Sequence, residues 1–224
     1  MSDKKILISG CGISCSGQER KTWVNIFKVA GLNITDVGGP AVSNQWILNR
    51  AIEYVLSNTI DIVIIQLTSL GKLDVEVNES KYAELVSNDT LRNFTIDGIW
   101  PSSCSLEHQS KQLWAEWLYS PRLELQDIQV KLELLKFYCQ TKDITLLVLE
   151  GYGILPEQTN IIYNDYIESD DYKFHDHTDN NAVPCLEYQF TLAKNICSLL
   201  SLDVFDKIKK IEQQYRHKRS TNNF

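Results

Sequence analysis

Apolar residues in this chain fall into two kinds of run, and the two kinds alternate. Lys5 to Ser9 (KILIS) is a short aliphatic stretch that stops at Gly10, and ERKTWVNIFKVAG follows with Trp23, Ile26, Phe27 and Ala30 at helical spacing before Gly31. A strand, a glycine turn and a helix are predicted, the helix N-terminus lying near Gln18. LNITDVGG predicts a second strand, and SNQWILNRAIEYVLSN a helix with Ser43 as its N-cap and Ile47, Ala51 and Val55 along one face. DIVIIQLTS is a continuous apolar run, the mark of a strand covered on both faces. Strands alternating with helices in this way predict a parallel sheet with right-handed crossovers, whose ligand site lies outside the carboxyl ends of its strands. Those ends fall at Gly10 to Gly17, Gly38 to Asn44 and Leu67 to Lys72.

From Leu73 to Arg122 the pattern weakens into polar turns, and only EHQSKQLWAEWLYSP reads as a helix, with Trp114 and Trp117 on its buried side. The segment 73–122 is expected to be an insertion over one edge of the sheet, too polar for a domain of its own. Regularity returns in LQDIQVKLELLKFYCQTKD, where Ile128, Leu132, Leu135 and Cys139 make a helix face, and in the buried strand ITLLVLEGYGI. An acidic, tyrosine-rich loop covers 160–180, and a helix follows from Cys185 to Leu200. A terminal helix from Leu202 to Tyr215 leads into a basic tail, so that 203–224 is helix and tail. A single domain, 1–224, is the expected organisation.

Composition narrows the functions open to such a domain. Its 22 Lys plus Arg against 29 Asp plus Glu give a formal net charge of −7, which repels a phosphate backbone. Nucleic acid and membrane are therefore not expected partners. The basic cluster KIKKIEQQYRHKRS reads as the solvated face of the last helix. No apolar run is long enough for a membrane span or for a signal-peptide core, so a cytoplasmic protein is expected. Six cysteines (Cys11, Cys15, Cys104, Cys139, Cys185 and Cys197) are spread without close pairing, which predicts reduced thiols rather than a disulfide framework.

Four ordered blocks then stand out: GCGISCSG after the first strand, VGGPAVSNQWI after the second, IIQLTS ending the third, and NNAVPCLEYQFTLA entering the last long helix. In order and spacing they resemble the blocks of the SGNH/GDSL hydrolases, over most of the chain outside 73–122. The resemblance implies a three-layer α/β/α sandwich around a five-stranded parallel sheet of flavodoxin-like order. It implies an esterase, a lipase, or a carbohydrate O-acetyl esterase or transferase, in which a serine after the first strand attacks the ester carbonyl. A histidine ahead of the last helix takes the proton, and an aspartate orients that histidine. The oxyanion is then held by the serine's own N–H, a glycine N–H after the second strand and an asparagine side chain after the third. A carbohydrate or an acylated small molecule is the implied ligand, no cofactor or metal is implied, and a protein partner or a homo-oligomer stays open.

Carried onto this chain, the nucleophile position is Gly12, and the second-block glycine is Ala41, followed by Ser43 and Asn44. The third-block asparagine falls on Thr68 or Ser69, and the aspartate and histidine fall on Asn181 and Val183 ahead of Pro184. All three triad positions read as substituted, and Gly12, Ala41, Asn44, Thr68 and Ser69 are the residues expected to line a ligand or oxyanion site. Two functions follow. A catalytically degenerate SGNH-like domain binds a ligand or serves in an assembly. An ester hydrolase or O-acyl transferase needs a relocated nucleophile, for which Cys11, Ser14 and Ser16 are candidates. Its base is then His175 or His177, and its orienting carboxylate Asp176 or Asp179. A helix terminus near Gln18 would favour a thiolate in that turn. The three substitutions favour the first function. His175 and His177 share a face of an extended segment, but two imidazoles do not close a zinc site. His108 reads as an exposed helix residue, and Trp46, Trp100, Trp114, Trp117 and Tyr119 as packing rather than a platform for a sugar ring.

Overall fold

The computed structural model of the chain describes residues 4–11, 22–39, 42–68, 70, 72–76, 93–97, 120–149 and 186–221. In chain order their elements are β1 (Lys5–Ser9), α1 (Trp23–Ala30), β2 (Asn33–Asp36), α2 (Asn44–Ser57), β3 (Ile62–Gln66), β4 (Lys72–Glu76) and β5 (Asn93–Asp97). There follow α3 (Pro121–Thr141), β6 (Thr145–Leu149), α4 (Leu186–Leu199) and α5 (Phe205–Thr221). Four strands form one parallel sheet in the order β2-β1-β3-β6, a flavodoxin-like succession with the first strand inside. The described residues supply four of the five strands that the resemblance implies.

Register assigns the helices to faces. Ser9 is the partner of Ile65, so the two side chains share a face, and Gln66 points to the other one. Ser9 Oγ donates to the Ile47 carbonyl of α2 at 2.8 Å, whereas Gln66 meets Trp23 of α1. α2 and α3 therefore cover one face, while α1, α4 and α5 pack on each other over the opposite one. Every residue of β3 is buried, as its unbroken apolar run requires of a strand covered on both sides. This is the expected three-layer α/β/α sandwich.

The helix faces read from sequence are the buried ones. Trp23, Ile26, Phe27 and Ala30 of α1, Ile47, Ala51 and Val55 of α2, and Ile128, Leu132, Leu135 and Cys139 of α3 all lie in the core. Ser43 caps α2 as expected, its Oγ accepting from Trp46 N at 3.1 Å. Gly31 ends α1 in the left-handed region, φ 89°, where a side chain would be strained. Burial pushes the thiols of Cys139 and Cys197 up to about 11 and about 12, so both stay protonated at neutral pH. No helix of the described residues is long and apolar enough to cross a membrane.

Three readings need correction. The first helix starts at Trp23 with Thr22 as its N-cap, not near Gln18, because the Thr22 hydroxyl accepts from Asn25 N and sets the boundary. The insertion also contains an antiparallel pair, β4 with β5, where only a helix was expected; Lys72 lies opposite Asp97, and Glu76 opposite Asn93. The last helix runs to Thr221, past Tyr215, since EQQYRHKRS is rich in good helix formers and lacks Gly or Pro.

That last helix is docked on α4 through a charged cluster. Glu212, 12% exposed, accepts from Lys194 of α4 at 2.9 Å and from Arg216 at 2.8 Å. Burial alone would raise its pKa; the hydrogen bonds and charges of Lys194 and Arg216 outweigh it and hold the carboxyl below the usual carboxylate value. A folded-state pKa below the unfolded one means stability that is full above the unfolded value and lost as pH falls through the folded one. Glu212→Gln is therefore expected to destabilise the protein by roughly 1 kcal/mol at pH 7. The difference from the parent chain should shrink in urea melts as pH is lowered below the usual carboxylate value and through the folded-state pKa.

Candidate functional site at the carboxyl edge of the sheet

Parallel strands bring their carboxyl ends to one edge, and each following helix begins there, so helix N-termini, whose first N–H groups have no partner within the helix itself, gather at the same place. At this edge β1 ends in Ser9, Gly10 and Cys11, β2 gives way to Val37, Gly38 and Gly39, and β3 gives way to Leu67 and Thr68. The three ends are fastened together by main-chain and buried side-chain hydrogen bonds.

The β1 and β2 ends are held without side chains. Val37 N donates to the Ile8 carbonyl at 2.9 Å and Gly39 N to the Gly10 carbonyl at 3.1 Å, carrying the pairing three residues beyond the last strand residue, Asp36. This approach requires glycine at position 38, where a Cβ would stand 2.7 Å from the Gly10 oxygen and 3.1 Å from its nitrogen. Asp36 Oδ1 accepts from Gly38 N at 3.0 Å and its Oδ2 lies 3.7 Å from Lys28 Nζ, so the turn is braced from behind.

The β2 and β3 ends are joined by one asparagine. Asn44, the first residue of α2 and 1% exposed, donates from Nδ2 to the Thr68 carbonyl at 2.9 Å, and its Oδ1 accepts from Thr68 N at 2.7 Å. An amide is the only neutral side chain that presents a donor and an acceptor side by side in this way. The two residues drawn from separate sequence blocks are thus in contact, and both ends of the Asn44 amide are engaged by the Thr68 backbone.

On the opposite face a second buried link was not read from the sequence. Trp23 Nε1 donates to Gln66 Oε1 at 3.1 Å, and Trp23 N donates to Gln189 Oε1 of α4 at 2.8 Å. The signal was present in IVIIQ, where one amide ends an otherwise apolar strand; a polar group buried there must find a partner. With Thr22 Oγ1 taking Asn25 N, the first turn of α1 has two of its N–H groups occupied by side chains.

Cys11, the one described member of the nucleophile candidates, is 3% exposed and belongs to the apolar core. The helix terminus invoked to activate it stands at Trp23 instead, with the partners just named. Trp46 is half-buried on the first turn of α2; its ring lies where a Cβ on Gly39 would meet it, 3.3 Å away, and Arg50 sits over it at 5.5 Å from the centroid. Gly12, Ser14, Ser16, Ala41, Ser69, His175, Asp176, His177, Asp179, Asn181 and Val183 lie outside the described residues, as do His108, Trp100, Trp114, Trp117 and Tyr119.

Among solved structures the chain is similar to Axe2, an acetylxylan esterase from Geobacillus stearothermophilus, with a TM-score of 0.50 and 12% identity, over 90% of this chain and 95% of that one. A catalytic mutant of the same enzyme gives a TM-score of 0.51 with the same identity and coverage. No protein-family model matches the chain, and no curated protein sequence does. At this identity the likeness is one of fold, a parallel sheet in an α/β/α sandwich, as the sequence resemblance implies.

Two substitutions probe the edge. Asn44→Ala leaves the Thr68 N–H and carbonyl buried without that partner and is expected to cost about 2–4 kcal/mol in urea unfolding. Trp23→Phe and Gln66→Leu should each cost about 1–3 kcal/mol, since each strands one buried polar group. The double variant strands neither, so its loss should fall short of the sum by at least about 1 kcal/mol.

Proposed function

We propose that this chain binds a small O-acylated ligand, an acetylated oligosaccharide in particular, at the carboxyl edge of its sheet without the serine–histidine–aspartate chemistry of SGNH hydrolases. The reading rests on one contrast. The backbone that builds such a site is kept: Gly10 against Gly38 and Gly39, and Asn44 clamped to Thr68. The positions that the resemblance gives to the reagents hold Gly12, Asn181 and Val183. Glycine offers no nucleophile, valine no base and asparagine no orienting carboxylate.

What remains suits recognition of an acyl carbonyl. The N-terminus of α2 supplies a partial positive charge, and the sequence resemblance implies the backbone N–H of Ala41 and the hydroxyl of Thr68 or Ser69 as donors beside it. These groups polarise and hold a carbonyl oxygen; no bond breaks without an attacking atom. The acetylated sugar is taken from the fold likeness to an acetylxylan esterase and from the acyl groups that the sequence resemblance implies. On this reading the whole chain, 1–224, is one domain, with 73–122 as an insertion over one edge of the sheet.

The competing reading, an esterase with Cys11, Ser14 or Ser16 as nucleophile and His177 with Asp179 as its base pair, loses support from the burial of Cys11 and from the position of the α1 terminus. Calorimetric titration with acetylated xylo-oligosaccharide is expected to give saturable binding. The deacetylated oligosaccharide should bind at least about tenfold more weakly, a difference of about 1.4 kcal/mol. Acetate release should stay at the level of buffer alone. Release that disappears in Cys11→Ala, Ser14→Ala, Ser16→Ala or His177→Ala would overturn the proposal in favour of the esterase.

A further inference from the structure

Trp46 does not belong to the face of α2 that packs on the sheet. That face is Asn44, Ile47, Leu48, Ala51 and Val55, all buried, whereas Trp46, Arg50 and Glu53 follow one another at i, i+4 and i+7 on the opposite side. At 3.6 residues per turn these three project within about 60° of one another. Arg50 and Glu53 are exposed, as residues on that side should be. Trp46 is half-buried because helix side chains lean toward the N-terminus, so its ring reaches back over the first turn to Gly39 at the end of β2. Part of the indole packs against the core and part stays accessible, at the carboxyl edge of the sheet.

We infer that Trp46, Arg50 and Glu53 form the subsite that holds the sugar chain of the ligand, leading from the edge outward along α2. The inference rests on the acylated-oligosaccharide reading above and names the residues that select the sugar. A sugar ring has apolar C–H faces and a rim of hydroxyls, so it needs a flat apolar surface beside fixed polar groups. The indole is such a surface. Each hydroxyl both donates and accepts; the Arg50 guanidinium only donates and the Glu53 carboxylate only accepts, so the pair serves both needs.

The three side chains are one connected row. Arg50 Nη1 lies 3.3 Å from Glu53 Oε2, and Arg50 Cζ stands 5.5 Å from the centroid of the indole, where the cation steadies the ring. Arg50 and Glu53 cancel in charge, which suits a neutral sugar rather than an anionic one. From Trp46 to Glu53 the helix rises about 10 Å, the length of about two sugar rings.

Calorimetric titration of the full chain with acetylated xylose and with acetylated xylotriose tests the subsite. In the parent chain the trisaccharide should bind at least about tenfold more tightly, and Trp46→Leu should remove that gain while Trp46→Phe keeps it within about threefold. Arg50→Ala and Glu53→Gln, both at exposed positions, should each weaken the trisaccharide about threefold to tenfold and the monosaccharide by less than about twofold, with urea melts unchanged. Tryptophan emission should change on binding, and most of that change should be missing in Trp46→Phe. Equal affinity for the two ligands, a length gain that survives Trp46→Leu, or an emission change that persists in Trp46→Phe overturns the inference, even where the acetylated ligand is preferred to the deacetylated one. A length gain that is lost in Trp46→Leu but is the same without acetyl groups supports the subsite and overturns the acyl reading instead. Binding of neither ligand overturns both.

Discussion

A strand buried on both faces can end in a polar side chain only where that side chain is paired, and Gln66 at the end of β3 sets this condition for the whole carboxyl edge. Its partner is the indole N–H of Trp23, a group that can only donate, so the orientation of the amide is fixed. Trp23 in turn opens α1, and its backbone N–H is taken by Gln189 of α4, 166 residues further along the chain. One buried amide thus locates the start of one helix, and through that helix the flank of another. Loss of any member leaves a polar group without water or partner in the middle of the sandwich.

The opposite face has an equivalent lock in Ser9 with Ile47 and Asn44 with Thr68, so the strand ends are held from both sides of the sheet. None of these groups sits at the nucleophile, base or orienting positions that the sequence resemblance assigns. The shape of the edge and the reagents of an ester hydrolase are therefore specified by different residues. A chain can keep the first while its reagent positions change, and its stability does not report on the second. This is why a fold likeness over 90% of the chain at 12% identity carries architecture and leaves chemistry to be read from side chains.

How much could be read from the sequence follows the strength of each physical signal. Helix faces were legible because burial on a sheet imposes a 3.6-residue period, and every core position assigned to α1, α2 and α3 is buried. β3 was legible because cover on both faces removes polar residues. β4 and β5 were not, since KLDVE and NFTID are two five-residue strands separated by a polar stretch, with no tight-turn signal to pair them. The start of α1 was misplaced because ERKT continues a helical composition, while the boundary is set by a single Thr22 hydroxyl. At the site, the residue types were visible but their pairing was not. That Asn44 meets the Thr68 backbone, or that Gly38 lies against Gly10, depends on which strands are neighbours, a property of the sheet order rather than of any local run.

Electrostatics at the edge also bears on the kind of ligand it suits. Two helices begin there, which favours a negative or partially negative atom, but the side-chain cations beside it are already balanced: Lys28 faces Asp36 at 3.7 Å, and Arg50 faces Glu53 at 3.3 Å while lying over Trp46. A phosphate or carboxylate brings a whole charge into a protein of net −7 and gains from paired cations little of what a free one would give. An ester carbonyl brings only a partial charge, for which backbone N–H donors are sufficient and the desolvation cost is small. For the acylated ligand proposed above, the pairing of these cations therefore argues for a neutral acyl oxygen over an anion.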